Sequence, residues 1–293
     1  MKHFISIIVG AGIASAVPLQ SRATDTFFFT FGDSYTMTSF DVGGTQPTAK
    51  KPMGNPALGT GTTTGGINWV GDLTTVNNAS LVLSYNHAVG GASIDNSLVN
   101  TNVDDMVTQV GVFETTYSEK PASAPWSSEN AVFGFWIGIN DIGWAWSSNE
   151  ASLLVPKLMA RYKALAEQIY TNGGRKFLFL NVPAVSRSPQ ILNQGADAAN
   201  GHAAWVTAYN TGLKAMVDDF IASNSGTTTV LYDTWNFMTK ILDAPATYGF
   251  SDATCVNADG VSCVWWNDYH PGYKYHQLQA ADMKLQMQSL GAW

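Results

Sequence analysis

The chain has 293 residues, 45% hydrophobic and 13% charged, with a net charge of −7. That length can bury a large core in one or two domains. No run of Lys and Arg occurs, which excludes phosphate-backbone binding and with it nucleic acid as a partner.

Residues 1–23 read as a signal peptide. Lys2 supplies the positive start, Phe4 to Ala14 the apolar stretch, and Ala14-Ser15-Ala16 a small-x-small cleavage site. Ser21-Arg22-Ala23 is a second site, so cleavage is expected after Ala16 or Ala23. The competing reading is a membrane anchor, but the stretch falls short of the ~20 apolar residues a span needs, and no other segment can span. Residues 24–293 show no repeat, low-complexity tail or long linker and read as one domain. A secreted, extracellular chain is expected.

Five short apolar runs follow, bounded by Gly and Pro. They are Thr26–Phe31 ending at Gly32, Leu81–Asn86, Ala131–Ile137 ending at Gly138, Lys176–Leu180 before Pro183, and Thr228–Tyr232. Continuous runs of this kind suit parallel strands covered on both faces. Between them the pattern predicts helices over 104–115, 151–171, 203–221 and 273–290. In 151–171, Leu154, Leu158, Tyr162, Leu165 and Ile169 share one face, and Gly173-Gly174 is a natural stop. Alternating strands and helices imply a parallel α/β sheet with its ligand site beyond the strands' carboxyl ends. Residues 37–68, rich in Gly, Thr and Pro, read as a long irregular loop.

Four segments beyond apolar runs carry chemistry. Gly32-Asp33-Ser34 follows the first run; on its own it is also what a turn or helix cap looks like. Asn86-His87-Ala88-Val89-Gly90-Gly91-Ala92 offers paired glycines that let a backbone N–H approach a ligand; the plain alternative is a strand-to-helix turn. Gly138-Ile139-Asn140-Asp141 offers an amide donor, or simply an Asn-Asp turn. Trp265 to Gly272 (WWNDYHPG) sets His270 near a carboxylate before the last helix, against the bland reading of a structural histidine.

In this order the four segments resemble the sequence blocks of SGNH (GDSL-like) hydrolases, from about Thr26 to the chain end. The resemblance implies a three-layer flavodoxin-like fold with a central five-stranded parallel sheet. It implies a serine esterase with Ser34 as nucleophile and His270 as general base. The Ser34 N–H, the Gly91 N–H and the Asn140 side chain would form the oxyanion hole. Such roles fit the chemistry. A serine hydroxyl is a poor nucleophile until an imidazole takes its proton, and the tetrahedral intermediate needs donors aimed at one oxygen. The chain departs from the family where the acid should lie, three residues before the histidine. That position is Asn267, and Asp268 lies two before. Carboxylate chemistry favours Asp268 as the group that orients His270; spacing favours Asn267, as an asparagine serves papain-like proteases. There is no Gly-x-Ser-x-Gly elbow and no phosphate-binding glycine fingerprint.

FTFGDSYT, GGINWV, NHAVGGAS and the Trp-rich approach to YHPG most resemble fungal acetylesterases of carbohydrate esterase family sixteen. That resemblance implies an acetylated oligosaccharide from hemicellulose as substrate. Trp144, Trp146, Trp265 and Trp266 are candidate sugar platforms, since indole faces stack on sugar rings; core or loop packing is the alternative for each. Two other functions compete: an esterase for other short acyl chains or lipids, and a carbohydrate-binding protein without catalysis. Cys255 and Cys263 suit an oxidising compartment and would close a small loop before His270, free thiols being the alternative. Asn78-Ala79-Ser80 is a glycosylation sequon. Two cysteines and five scattered histidines show no metal-ligand spacing, and no cofactor is implied. Activity is expected to rise with pH near the ordinary histidine value of about 6.5, moved by the partner of His270.

Overall fold

In the computed structural model, which describes residues 25–293, the five apolar runs form one parallel sheet ordered β2-β1-β3-β4-β5. The strands are β1 (Thr26–Gly32), β2 (Val82–Asn86), β3 (Ala131–Trp136), β4 (Lys176–Leu180) and β5 (Thr228–Tyr232). Eight helices connect them: α1 (Trp69–Thr75), α2 (Met106–Tyr117), α3 (Ile139–Ala145), α4 (Ala151–Thr171), α5 (Pro189–Leu192), α6 (Ala196–Ser223), α7 (Thr234–Asp243) and α8 (Tyr273–Gln286). The leader predicted for 1–23 lies outside the described residues. No described helix is long and apolar enough to cross a membrane.

The sheet is built from aromatic side chains in register. Phe29 pairs with Tyr85 of β2 and Phe133 of β3, and Phe133 with Phe177 of β4. One row up, Phe31, Phe135 and Phe179 stack at 4.9 and 5.4 Å, and His87 extends that row at 5.3 Å. Parallel register aligns identical faces, so one row of rings crosses four strands. Helices α2, α4 and α6 cover this face through Phe113, Tyr162 and Phe220. The opposite face packs Phe28 against Trp69 of α1 and Trp293, with α8 beside α1.

Three strands, β1, β2 and β3, are buried throughout, but β5 is half-buried along most of its length. The expectation of strands covered on both faces therefore fails at this edge. The helices α1, α3, α5 and α7 are additional to those predicted, and α6 begins at Ala196 rather than 203. Caps explain some of these ends. Asn68 accepts from the Gly71 N–H at α1 and Asp233 from the Asn236 N–H at α7, while Ser188 opens α5 before Pro189. Helix α4 stops at Thr171 as expected, with Gly173 at φ +107° and the Gly174 N–H closing onto Ile169 O. Residues 37–68 carry no helix or strand beyond a single bridge.

Thr30 pairs with Asn86, and Gly32 with Trp136. The carboxyl ends of β2, β1 and β3 thus lie level. The chain passes from β1 outward to β2, then back across β1 to β3, so the strand order reverses between β1 and β3. A ligand crevice belongs at that reversal.

Candidate active site

Residues 33–37 turn sharply at the end of β1 and are pinned from many directions. Gln109 of α2, itself buried, closes both backbone groups of Gly32: its Nε2 donates to the carbonyl and its Oε1 accepts from the N–H, each at 2.8 Å. The Val89 N–H reaches the same carbonyl at 3.1 Å. Thr63 donates to Ser34 O at 2.7 Å, and Asn86 and Asn68 donate to Thr36 O at 2.7 and 2.9 Å. Gly32 cannot carry a side chain here, because a Cβ would stand 2.2 Å from Trp136 O. The neighbouring carboxyl of Asp33 accepts from the Tyr35 N–H and is buried. Burial pushes it up to about 8, with the charge of Asp141 adding and the Tyr35 N–H opposing. At neutral pH Asp33 is therefore mostly protonated.

Ser34 is 8% exposed, and its Oγ lies 2.8 Å from His270 Nε2. His270 Nδ1 lies 3.1 Å from Asn267 Oδ1, which also accepts from the His270 N–H at 2.7 Å and the Tyr269 N–H at 2.9 Å. Such a turn holds the imidazole from within its own loop and leaves Nε2 as the acceptor toward Ser34. Asp268 is exposed and makes no hydrogen bond to His270 among the described residues; its carbonyl accepts from the Gln190 N–H. The structure thus brings Asn267, and not Asp268, to the imidazole Nδ1. Burial pushes His270 down to about 4, opposed by the charge of Asp268. Its expected titration near 6.5 shifts acidward accordingly.

The other two strand ends supply donors. The Gly90 N–H meets Met37 Sδ at 3.2 Å, whereas the Ser34 and Gly91 N–H groups have no acceptor among the described residues. A Cβ on Gly90 would approach Ser34 Cβ to 4.0 Å, so the paired glycines bring bare backbone beside the nucleophile. Gly91 takes φ +85°. Asn140 Nδ2 donates to Ala92 O at 2.9 Å, which ties the β3 end to the β2 end and leaves its second amide hydrogen uncommitted. Gly138 before it takes φ +122°, and a Cβ there would stand 2.2 Å from the Tyr209 ring. Asp141 is buried and accepts from the Ile94 N–H. Burial pushes it up to about 7.

The four tryptophans separate. Trp144 is 60% exposed on α3, one turn from Asn140 and on the same face. Trp146 packs against His202 at 4.9 Å and Trp266 over Gly65, both half-buried. Trp265 is fully buried in a satellite core with Met238, Ile241 and Tyr275, its Nε1 donating to Ala253 O. Its expected sugar contact is therefore corrected: no indole face is open to a ligand. Cys255 and Cys263 are bonded, closing the loop that leads into this core. Asn78 sits half-buried between α1 and β2, its amide donating to Ser80 O.

Gln109 and Thr63 had no place in the sequence reading, while Tyr35 and Asn68 lay within FTFGDSYT and GGINWV without a role. Only Asn68 left a signal, as a cap before an apolar run.

A serine–imidazole pair at the strand reversal of a 2-1-3-4-5 sheet, with free N–H donors beside it, defines a hydrolase of the acyl-transfer kind. The chain matches the GDSL-like Lipase/Acylhydrolase family over residues 28–283. It belongs to that family and is a carboxylic ester hydrolase. It is 40% identical over 281 residues to a protein named Acetylesterase from Thermothelomyces thermophilus, covering 94% of this chain and 93% of that one. In fold it is similar to a putative GDSL-like lipase from Parabacteroides merdae, with TM-score 0.52, 16% identity and coverage of 91% and 96%. It is also similar to LAE5, an alpha/beta hydrolase enzyme from the metagenome of Lake Arreo, with TM-score 0.52, 12% identity and the same coverage.

Proposed function

We propose that this esterase is a secreted serine acetylesterase that removes O-acetyl groups from small hemicellulose-derived oligosaccharides through an acyl-enzyme on Ser34. The observation that carries the reading is the 2.8 Å approach of Ser34 Oγ to His270 Nε2. The 40% identical relative named Acetylesterase supports the acyl group. The exposed indole of Trp144 near Asn140 supports a sugar as the alcohol part.

In this mechanism His270 Nε2 takes the Ser34 proton as Oγ attacks the ester carbonyl. The oxyanion is received by the Ser34 N–H, the Gly91 N–H and the free Asn140 amide hydrogen, each lowering the barrier by about 3 kcal/mol. His270 then returns the proton to the leaving sugar oxygen. Water attacks the acetyl-serine with His270 again as base, releasing acetate and restoring the hydroxyl. Asn267 orients the imidazole without a negative charge. The base must be neutral, so kcat/KM rises with pH through a midpoint near the His270 value of about 4 and then levels off. The Cys255–Cys263 bond suits the secreted compartment, and residues 1–23 are the proposed leader with 24–293 as the catalytic domain. Asn78 is the proposed glycan acceptor.

The test is acetate release from acetylated xylo-oligosaccharides, beside a 4-nitrophenyl ester series from acetate to decanoate. Wild type should favour acetate and deacetylate the sugars. Ser34→Ala should lose roughly 10⁴-fold or more of kcat. A preference for long acyl chains with sugars untouched would replace the substrate by a lipid-like ester. An unaffected Ser34→Ala would remove the acyl-enzyme altogether.

A further inference from the structure

Ser34 and Tyr35 are consecutive, as are Tyr269 and His270. Two hydrogen bonds join these dipeptides across more than 230 residues of chain. Ser34 Oγ meets His270 Nε2, and the Tyr35 hydroxyl donates to the Tyr269 carbonyl. Tyr35 is 1% exposed, wedged edge-on against Trp136 at 5.4 Å, with its ring centre 5.4 Å from the His270 ring. Within the base loop the other bonds are local: Asn267 Oδ1 serves three N–H groups of the loop, and the Trp266 N–H donates to His270 O. A bond from the Gln190 N–H to Asp268 O ties the loop to α5 on its far side. The Tyr269 carbonyl meets no other donor among the described residues.

We infer that Tyr35 is a positioning residue that holds His270 over the nucleophile turn while Ser34 carries the acyl group. The inference rests on the Ser34–His270 reading above. Acylation forms a bond from Ser34 Oγ to the acyl carbon and breaks that carbon's bond to the alcohol oxygen. The Ser34 proton leaves on that alcohol by way of His270. Oγ is then an ester oxygen with no hydrogen to donate, so the direct tie between nucleophile and base is gone. Asn267 cannot replace it, because Asn267 belongs to the base loop and moves with it. The Tyr35 hydroxyl is unchanged by the chemistry and still ties the two dipeptides together. Deacylation needs that register: water must give its proton to Nε2 as its oxygen bonds the acyl carbon, and Nε2 must then pass that proton to Oγ as Oγ departs. The acylation half-reaction starts from both ties and depends on Tyr35 less.

The test is Tyr35→Phe, which deletes one oxygen and keeps the ring, with Tyr35→Met beside it as a second hydroxyl-free filler. Thermal unfolding of both identifies a folded variant. With 4-nitrophenyl acetate, the expected result is a kcat about tenfold lower, with KM falling in parallel, as a slowed second step requires. An acetyl adduct on Ser34 should accumulate in the intact mass after acid quench. Added hydroxylamine, which attacks an acyl-enzyme without a general base, should restore turnover of the variant more than it speeds wild type. An unchanged kcat would overturn the inference. So would equal losses in kcat and kcat/KM with no adduct and no rescue, since that pattern places the defect in acylation. Failure of the underlying reading is separately visible, as an active Ser34→Ala and an adduct elsewhere than Ser34.

Discussion

The nucleophile turn and the base loop hold the two halves of one reacting pair in different ways. The turn at 32–37 is pinned by buried side chains from distant parts of the chain: Gln109, Asn86, Asn68 and Thr63. The loop at 266–272 is held mainly by itself, through the fan of bonds onto Asn267 Oδ1 and a core of its own around Trp265. Long-range buried bonds form only when the whole sheet is in place, so the turn is as rigid as the fold. Local bonds can break and reform without the fold. The serine is thus set by global stability, and the histidine by local geometry with two outside ties, from Tyr35 and from Gln190.

That contrast breaks most visibly at Gln109. Gln109→Leu leaves the Gly32 N–H and carbonyl buried with one side chain fewer to serve them. It should cost about 3–5 kcal/mol in urea unfolding, with activity lost alongside. A stable, active variant would show that the turn needs no support from α2. Next in size is Asn267→Ala, which removes the partner of Nδ1. We expect kcat to fall roughly 10- to 100-fold, or about 1.4–2.7 kcal/mol, while the thermal transition barely moves. A large loss of stability instead would make the base loop part of the global fold.

Replacing Cys255 and Cys263 together by Ser should lower stability by at most about 2.5 kcal/mol, the loop-closure value for so short a loop. Turnover should stay near wild type, because the bond lies outside the Asn267 fan. A collapse of kcat would mean that the fan depends on the disulfide. Asn267→Asp sharpens the comparison most gently. A carboxylate beside the imidazole favours its charged form, so the acid limb of kcat/KM should move upward from about 4 by about one to two pH units. An unmoved limb would mean that the limb does not report His270.

Strand positions were legible because the apolar runs are local and their bounding Gly and Pro residues are punctuation. The order of the four chemical segments located Ser34, Gly91, Asn140 and His270 at strand ends and at the last loop. Helix α7 went unread because its ten residues (TWNFMTKILD) follow β5 with only Asp233 to mark a start. Helix α6 was read short because Ala196 to Gly201 has no large apolar side chain to mark a face and ends in Asn200-Gly201. His87 lies in one of the four segments, yet it is a core ring stacked on Phe31. Burial holds it neutral, pushed down to about 3.

The sequence by itself determined the parallel α/β class, the strand ends where chemistry sits, and the residue types available there, since hydrophobic period and turn composition act over a few neighbours. Tertiary structure alone decided which of Asn267 and Asp268 faces the imidazole, because adjacent residues in a loop differ in direction and not in distance along the chain. It decided that Trp265 fills a core while Trp144 stands in solvent, since each indole's fate depends on what the fold lays over it. It also brought Gln109 to Gly32 and Tyr35 to Tyr269, contacts between residues 77 and 234 positions apart that no local pattern can announce.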